Sequence, residues 1–79
     1  MKVPRDVSAG RLIKVLERYG YVVARQTGSH IRLSKRFYDT EHAITIPNHN
    51  PIKIGTLQSI VKDICDVNKL DIYEIYKQL

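Results

Sequence analysis

His30 is the residue of this chain whose neighbours best equip it for chemistry. It follows Thr27-Gly28-Ser29, which reads as a tight turn because Gly28 can take a positive φ that a side chain would resist. From His30 to about Lys35 apolar and polar residues alternate, the pattern of a half-buried strand. Ile31 and Leu33 face one way, and His30, Arg32 and Ser34 face the other. An imidazole and a guanidinium thus share a wet surface, with Arg25, Lys35 and Arg36 close in sequence. A neutral imidazole accepts a proton near neutral pH. RNA carries a nucleophile beside every phosphate, the 2′-OH. Removing its proton while a cation steadies the charge on phosphorus is enough to cut the strand. One histidine among cations therefore suits metal-independent RNA cleavage. An exposed strand histidine also arises with no chemical task, and the strand pattern taken alone does not choose between the two.

Other reactive residues give weaker signals. His49 lies in Pro47-Asn48-His49-Asn50-Pro51, a polar loop that needs no catalytic explanation. His42 opens a strand and reads as ordinary surface. Cys65 is alone, so no intramolecular disulfide forms; its apolar helical setting makes it a core residue of a reducing compartment, not a nucleophile. No histidine or cysteine stands at zinc-ligand spacing, so neither metal nor cofactor is expected. Gly28-Ser29 is too short for a phosphate-cradling loop. Tyr21, Tyr73 and Tyr76 fit packing stripes, whereas Tyr19 and Tyr38 are freer. Phe37-Tyr38, beside Lys35-Arg36, reads either as a base-stacking site or as a half-buried hairpin turn.

The elements that must position these residues are well punctuated. Ser8 is an N-cap for a helix carrying Ala9, Leu12, Ile13 and Leu16 on one face, and Gly20 suits its left-handed stop, with Tyr21 closing back on Leu16. Tyr21 to Gln26 is rich in strand formers, and a third strand runs from His42 to Ile46 with Ile44 and Ile46 inward. Ile54, Leu57, Ile60, Val61 and Ile64 mark a second amphipathic helix. Asn68 is a cap for a short last helix through about Gln78, with Leu70, Tyr73, Tyr76 and Leu79 near one stripe. The economical assembly is α+β: a three-stranded antiparallel meander with both main helices on its apolar face.

At 79 residues the chain is expected to be a single domain over 1–79, with a core over about 8–65 and a helical extension over 66–79. A body this small buries roughly 60% of its unfolded surface, so any site sits on an open face. Thirteen Lys and Arg against eight Asp and Glu give a formal charge of +5. In the tail Asp63, Asp66, Asp71 and Glu74 outweigh Lys69 and Lys77, so the +5 divides into −2 there and +7 before it. Between Arg18 and Tyr38 there is no acid at all. Such a field suits a phosphate backbone. The opening MKVPRDVSAG lacks the apolar run of a signal peptide, and no stretch is apolar enough to span a bilayer, so a cytoplasmic location without membrane contact is the expectation.

Two longer segments carry a family resemblance. SAGRLIKVLERYGYVVARQTGSHIRL resembles the opening of HicA-type messenger-RNA interferases: a helix ending at glycine plus aromatic, then a strand leading to Gly-Ser-His. ITIPNHNPIKIGTLQSIVKDI resembles the second half of that family, a strand ending in proline, a nearby histidine, then Gly-Thr-Leu opening a helix. The resemblance spans about residues 8–65. It implies an α-β-β-β-α fold like that of a double-stranded-RNA-binding domain. It also implies endoribonuclease activity on translated RNA and neutralisation by a HicB-type antitoxin. Carried over, Gly28 and Ser29 shape the turn, His30 is the catalytic histidine and His49 matches the second family histidine. Arg25, Arg32, Lys35 and Arg36 are the expected RNA contacts. The hairpin SKRFYDTEH is longer than in the shortest members, and NKLDIYEIYKQL extends past their end, which makes this helix a candidate for homo-oligomer contact. Two other readings use the same residues: a non-catalytic RNA-binding module on the same basic face, and an interaction protein whose surface serves a partner chain. Only catalysis requires His30.

Overall fold

The structure is a computed structural model that describes residues 3–79. Its elements run α1 (Ala9–Glu17), β1 (Val22–Thr27), β2 (His30–Arg36), β3 (Glu41–Pro47), α2 (Ile54–Asn68) and α3 (Ile72–Tyr76). The fold is α+β with the α-β-β-β-α order of a double-stranded-RNA-binding domain plus a short last helix. Ser8 caps α1 as its type suggests, its Oγ accepting from the Arg11 N–H at 3.1 Å. Ala9, Leu12, Val15 and Leu16 are buried, and Ile13 packs half-buried against the same core, with Val15 added to the expected stripe. The helix stops at Gly20, with φ at +95°. The Gly20 N–H donates to the Glu17 carbonyl and the Tyr21 N–H to the Leu16 carbonyl, the paired bonds of a glycine stop. Tyr21 is thereby buried below the sheet, and β1 begins one residue later than expected.

The sheet is antiparallel in the order β1-β2-β3. Gly28 and Ser29 join β1 to β2, with Gly28 at φ +54°, the first central position at which a two-residue turn wants glycine. Residues paired across strands share a face. The inner face therefore holds Ile31 beside Ile46, and Leu33 beside Ile44, all buried against the helices. Their row mates on β1, Gln26 and Val23, stay exposed, so the helices cover β2 and β3 and leave β1 overhanging.

Three expectations for the helices change. Ile54 is exposed at the first position of α2, and Ile52, just before the helix, takes the core place instead, its N–H bonded to the Val7 carbonyl at 2.8 Å. Asn68 does not cap the last helix: it is the final residue of α2, and Asp71 caps α3 by accepting from the Tyr73 N–H. Lys69 between them turns the chain in the left-handed conformation. The tail is part of the core, since Ile75 and Tyr76 are fully packed, while Tyr73 is half-exposed rather than internal. Gln78 donates to the Tyr19 hydroxyl and accepts from Arg18, so Tyr19 is held and not free.

Beneath the far end of the sheet lies a polar chain absent from the sequence-based expectations. Lys35 and His42 are cross-strand partners on the inner face. Lys35 Nζ donates to Asn68 Oδ1, and Asn68 Nδ2 donates to the Tyr21 hydroxyl at 2.9 Å and to the Ile64 carbonyl. With its oxygen accepting from Asn68, the Tyr21 hydroxyl keeps its proton free for the neutral Nδ1 of His42, 2.7 Å away. His42 Nε2–H then donates to Asp63 at 3.2 Å. Every link points the same way, from cation to carboxylate. Burial raises the Tyr21 hydroxyl above its ordinary pKa, Asn68's hydrogen bond works against that rise, and the nearby Asp63 carboxylate adds to it.

Candidate nucleic-acid interface and cleavage site

The outer face of the sheet is built from the other parity of each strand. Register places Thr27, His30 and Pro47 in one row, Arg25, Arg32 and Thr45 in the next, and Val22, Ser34 and Ala43 beyond. Cross-strand neighbours stand about 5 Å apart at Cβ and successive rows roughly 7 Å apart. His30 and Arg32 are thus within reach of one phosphodiester. His30 opens β2 at the mouth of the glycine turn, exposed; among the described residues its ring has no hydrogen-bond or ion-pair partner. A free ring on an open face can meet a substrate without first breaking a contact.

Arg25 reaches this face through an irregularity. Val23 pairs with Leu33 and Arg25 with Arg32, so β1 spends two residues where β2 spends one, and Ala24 is the extra residue of a bulge. In unbroken register Arg25 would pair with Ile31 and face the helices. The bulge sets two guanidinium groups side by side, and among the described residues neither meets a carboxylate. Thr27 and Thr45, which the sequence did not single out, flank His30 and Arg32 with exposed hydroxyls. Only strand register reveals them.

The remaining expected contacts fall elsewhere. Lys35 lies on the inner face, tied to Asn68, with its ammonium 5.8 Å from the Tyr21 ring centre and 4.8 Å from that of Phe37. It does not join His30 and Arg32. Arg36 shares their face but sits six residues along β2 from His30, about 20 Å away, opposite Glu41. It can touch only a different phosphate. Tyr38 is fully exposed at the β2–β3 turn, while Phe37 beside it is half-buried.

His49 comes to the same corner as His30 by backbone contacts. The Asn48 N–H donates to the Ser29 carbonyl at 2.6 Å, fastening the loop against the glycine turn, and the Ala9 N–H donates to the His49 carbonyl at 3.3 Å. The hairpin turn, the loop after β3 and the start of α1 therefore meet, with both histidine side chains exposed. His42 is the exception among the three: its side chain is 15% exposed and engaged in the polar chain below the sheet.

A family model described as the HicA toxin of bacterial toxin-antitoxin matches residues 9–64, a span from the first residue of α1 into the last turns of α2 that includes the whole sheet and the corner. Neither the curated proteins nor the solved structures give a match to the chain. Among the described residues no helix is long and apolar enough to cross a membrane.

Proposed function

Since the chain belongs to the HicA toxin family of bacterial toxin-antitoxin systems, we propose that it cleaves messenger RNA with His30 as general base and is held in check by a HicB-type antitoxin. The observation that carries this reading is an exposed imidazole, without a partner among the described residues, on the same sheet face as Arg25 and Arg32. The sugar 2′-OH gives its proton to neutral His30, and its oxygen attacks the adjacent phosphorus. The bond from phosphorus to the 5′ oxygen breaks, leaving a 2′,3′-cyclic phosphate and a 5′-hydroxyl end. Arg32, with Arg25 beside it, holds the phosphate and offsets the charge that grows on its oxygens. Gly28 and Ser29 fix the turn from which His30 emerges. His49 is the second candidate, placed at the same corner to return a proton to the departing oxygen.

Induction of the wild type and of His30→Ala in a host cell, with total RNA examined for new ends, tests the reading. A general base contributes about 10²–10⁴-fold in rate, so His30→Ala should abolish growth arrest while RNA binding persists. RNA with deoxyribose at the scissile position should resist cutting. Salt-sensitive binding without any scission by the wild type would favour the non-catalytic RNA-binding module instead.

A further inference from the structure

The β1 strand is the most exposed element of the sheet. All six residues from Val22 to Thr27 are exposed, Val22 by 60% and Val23 by 46%, although four are strand formers or apolar. Among the described residues β1 pairs with β2 alone, so its outer edge offers backbone donors and acceptors free for another strand. The opposite edge, β3, is better protected: it ends in a proline, begins with Glu41 and has its inner residues under the helices.

We infer that this edge receives an extended, acidic strand of a partner protein, which extends the sheet to four strands. Backbone pairing supplies affinity in such additions, and alternate side chains supply selectivity. Both parts are present. The exposed valines give the added strand apolar surface on either face of β1. Arg25 stands within the strand beside Arg32, meets no carboxylate among the described residues, and asks for one opposite. Charge also decides against a second copy in this role. Antiparallel self-pairing centred on Arg25 would set the two Arg25 side chains directly opposite each other on one face, on molecules each of formal charge +5. RNA, for its part, has no extended amide backbone to complete the ladder.

The position has a consequence for the nuclease. Strands lie about 4.8 Å apart, so an added strand runs roughly 10 Å from β2 and its outward side chains border the His30 and Arg32 rows. A carboxylate beside Arg25 then occupies the place of a substrate phosphate. This masking rests on the proposed nuclease reading; the docking itself does not.

The probe is a capped seven-residue peptide alternating Glu and Val, titrated into the ¹⁵N-labelled full chain. Amide shift changes and exchange protection should be confined to Val22–Thr27. A Lys-for-Glu peptide should bind at least about tenfold more weakly, and Arg25→Glu should reverse that preference (a 1.4 kcal/mol change per tenfold). Shifts centred away from β1, equal binding of both peptides, or a chain that dimerises through β1 would each overturn the proposal. Peptide binding to His30→Ala should match that of the wild type, and the Glu peptide should inhibit wild-type RNA cleavage over the same concentration range. Binding at β1 without inhibition would overturn the masking. Failure of the wild type to cut RNA at all, with docking at β1 intact, would sink the nuclease reading alone.

Discussion

Replacing Tyr21 with Phe removes one oxygen from the middle of the polar chain and leaves the packing almost untouched. The Tyr21 ring is 1% exposed and meets His42 edge-on, with centroids 5.7 Å apart; the variant keeps both features. What goes is the donor to His42 Nδ1 and the acceptor for Asn68 Nδ2. Asn68 retains its bond to the Ile64 carbonyl, but Nδ1 of a side chain only 15% exposed is left facing hydrocarbon. Two hydrogen bonds at about 1 kcal/mol each, plus the cost of the stranded nitrogen, give a loss of roughly 2–3 kcal/mol. Domains of this size total on the order of 4–12 kcal/mol and move about 4–8 °C per kcal/mol, so the midpoint should fall by roughly 10–20 °C. Urea and thermal unfolding followed by circular dichroism measure this, with an unchanged urea slope. Lys35, where the chain of bonds begins, is about 16 Å along β2 from His30, so RNA cleavage well below the midpoint should stay within about twofold of wild type. A loss under about 0.5 kcal/mol would mean that water replaces the hydroxyl freely and that the chain of bonds adds nothing to stability. Lost cleavage at full stability would refute the separation of this network from the corner proposed to cleave RNA.

Arg32→Gln should lower the salt dependence of RNA binding by about 0.7 in log–log slope, the value of one phosphate contact on a single strand. Lys35→Gln should leave that slope unchanged and instead lower the unfolding midpoint, because the ammonium serves Asn68 on the inner face. Lys69 holds a left-handed φ of +59° that costs a side chain about 1–2 kcal/mol, so Lys69→Gly should stabilise the chain by about 0.5–1 kcal/mol after the entropy of glycine is deducted; an unchanged or lower midpoint would count against it. Stability should also fall in alkali. Burial raises the Cys65 thiol above 9.0 and the Tyr21 and Tyr76 hydroxyls above 10.0, so the folded chain keeps protons that the unfolded chain releases. Their contribution is intact below about pH 9 and is lost as the pH climbs through the folded values, first through Cys65 and then through the tyrosines. Urea titrations from about pH 8 to pH 11 follow this, and Cys65→Ala should delay the onset.

Local rules in the sequence were enough for most of the elements and for the outward facing of His30 and Arg32. Ser8, Gly20 and Gly28 mark their cap and turns because each answers a backbone demand met within a few residues. The alternation of Ile31 and Leu33 turns His30 and Arg32 outward for the same reason. The parity rule reached further than it was applied. Lys35 shares the parity of Ile31 and Leu33, and His42 that of Ile44 and Ile46, so both belong on the inner face despite their polarity. What parity cannot supply is their partners: Tyr21, Asp63 and Asn68 come from distant elements, and only packing brings them together. The bulge at Ala24 is likewise settled across strands, since β1 alone would aim Arg25 at the helices. The burial of Ile75 and Tyr76, and the exposure of β1, depend on where the helices come to rest over the sheet. Short-range stereochemistry is written into neighbouring residues, whereas contacts between remote segments exist only once the whole chain has closed.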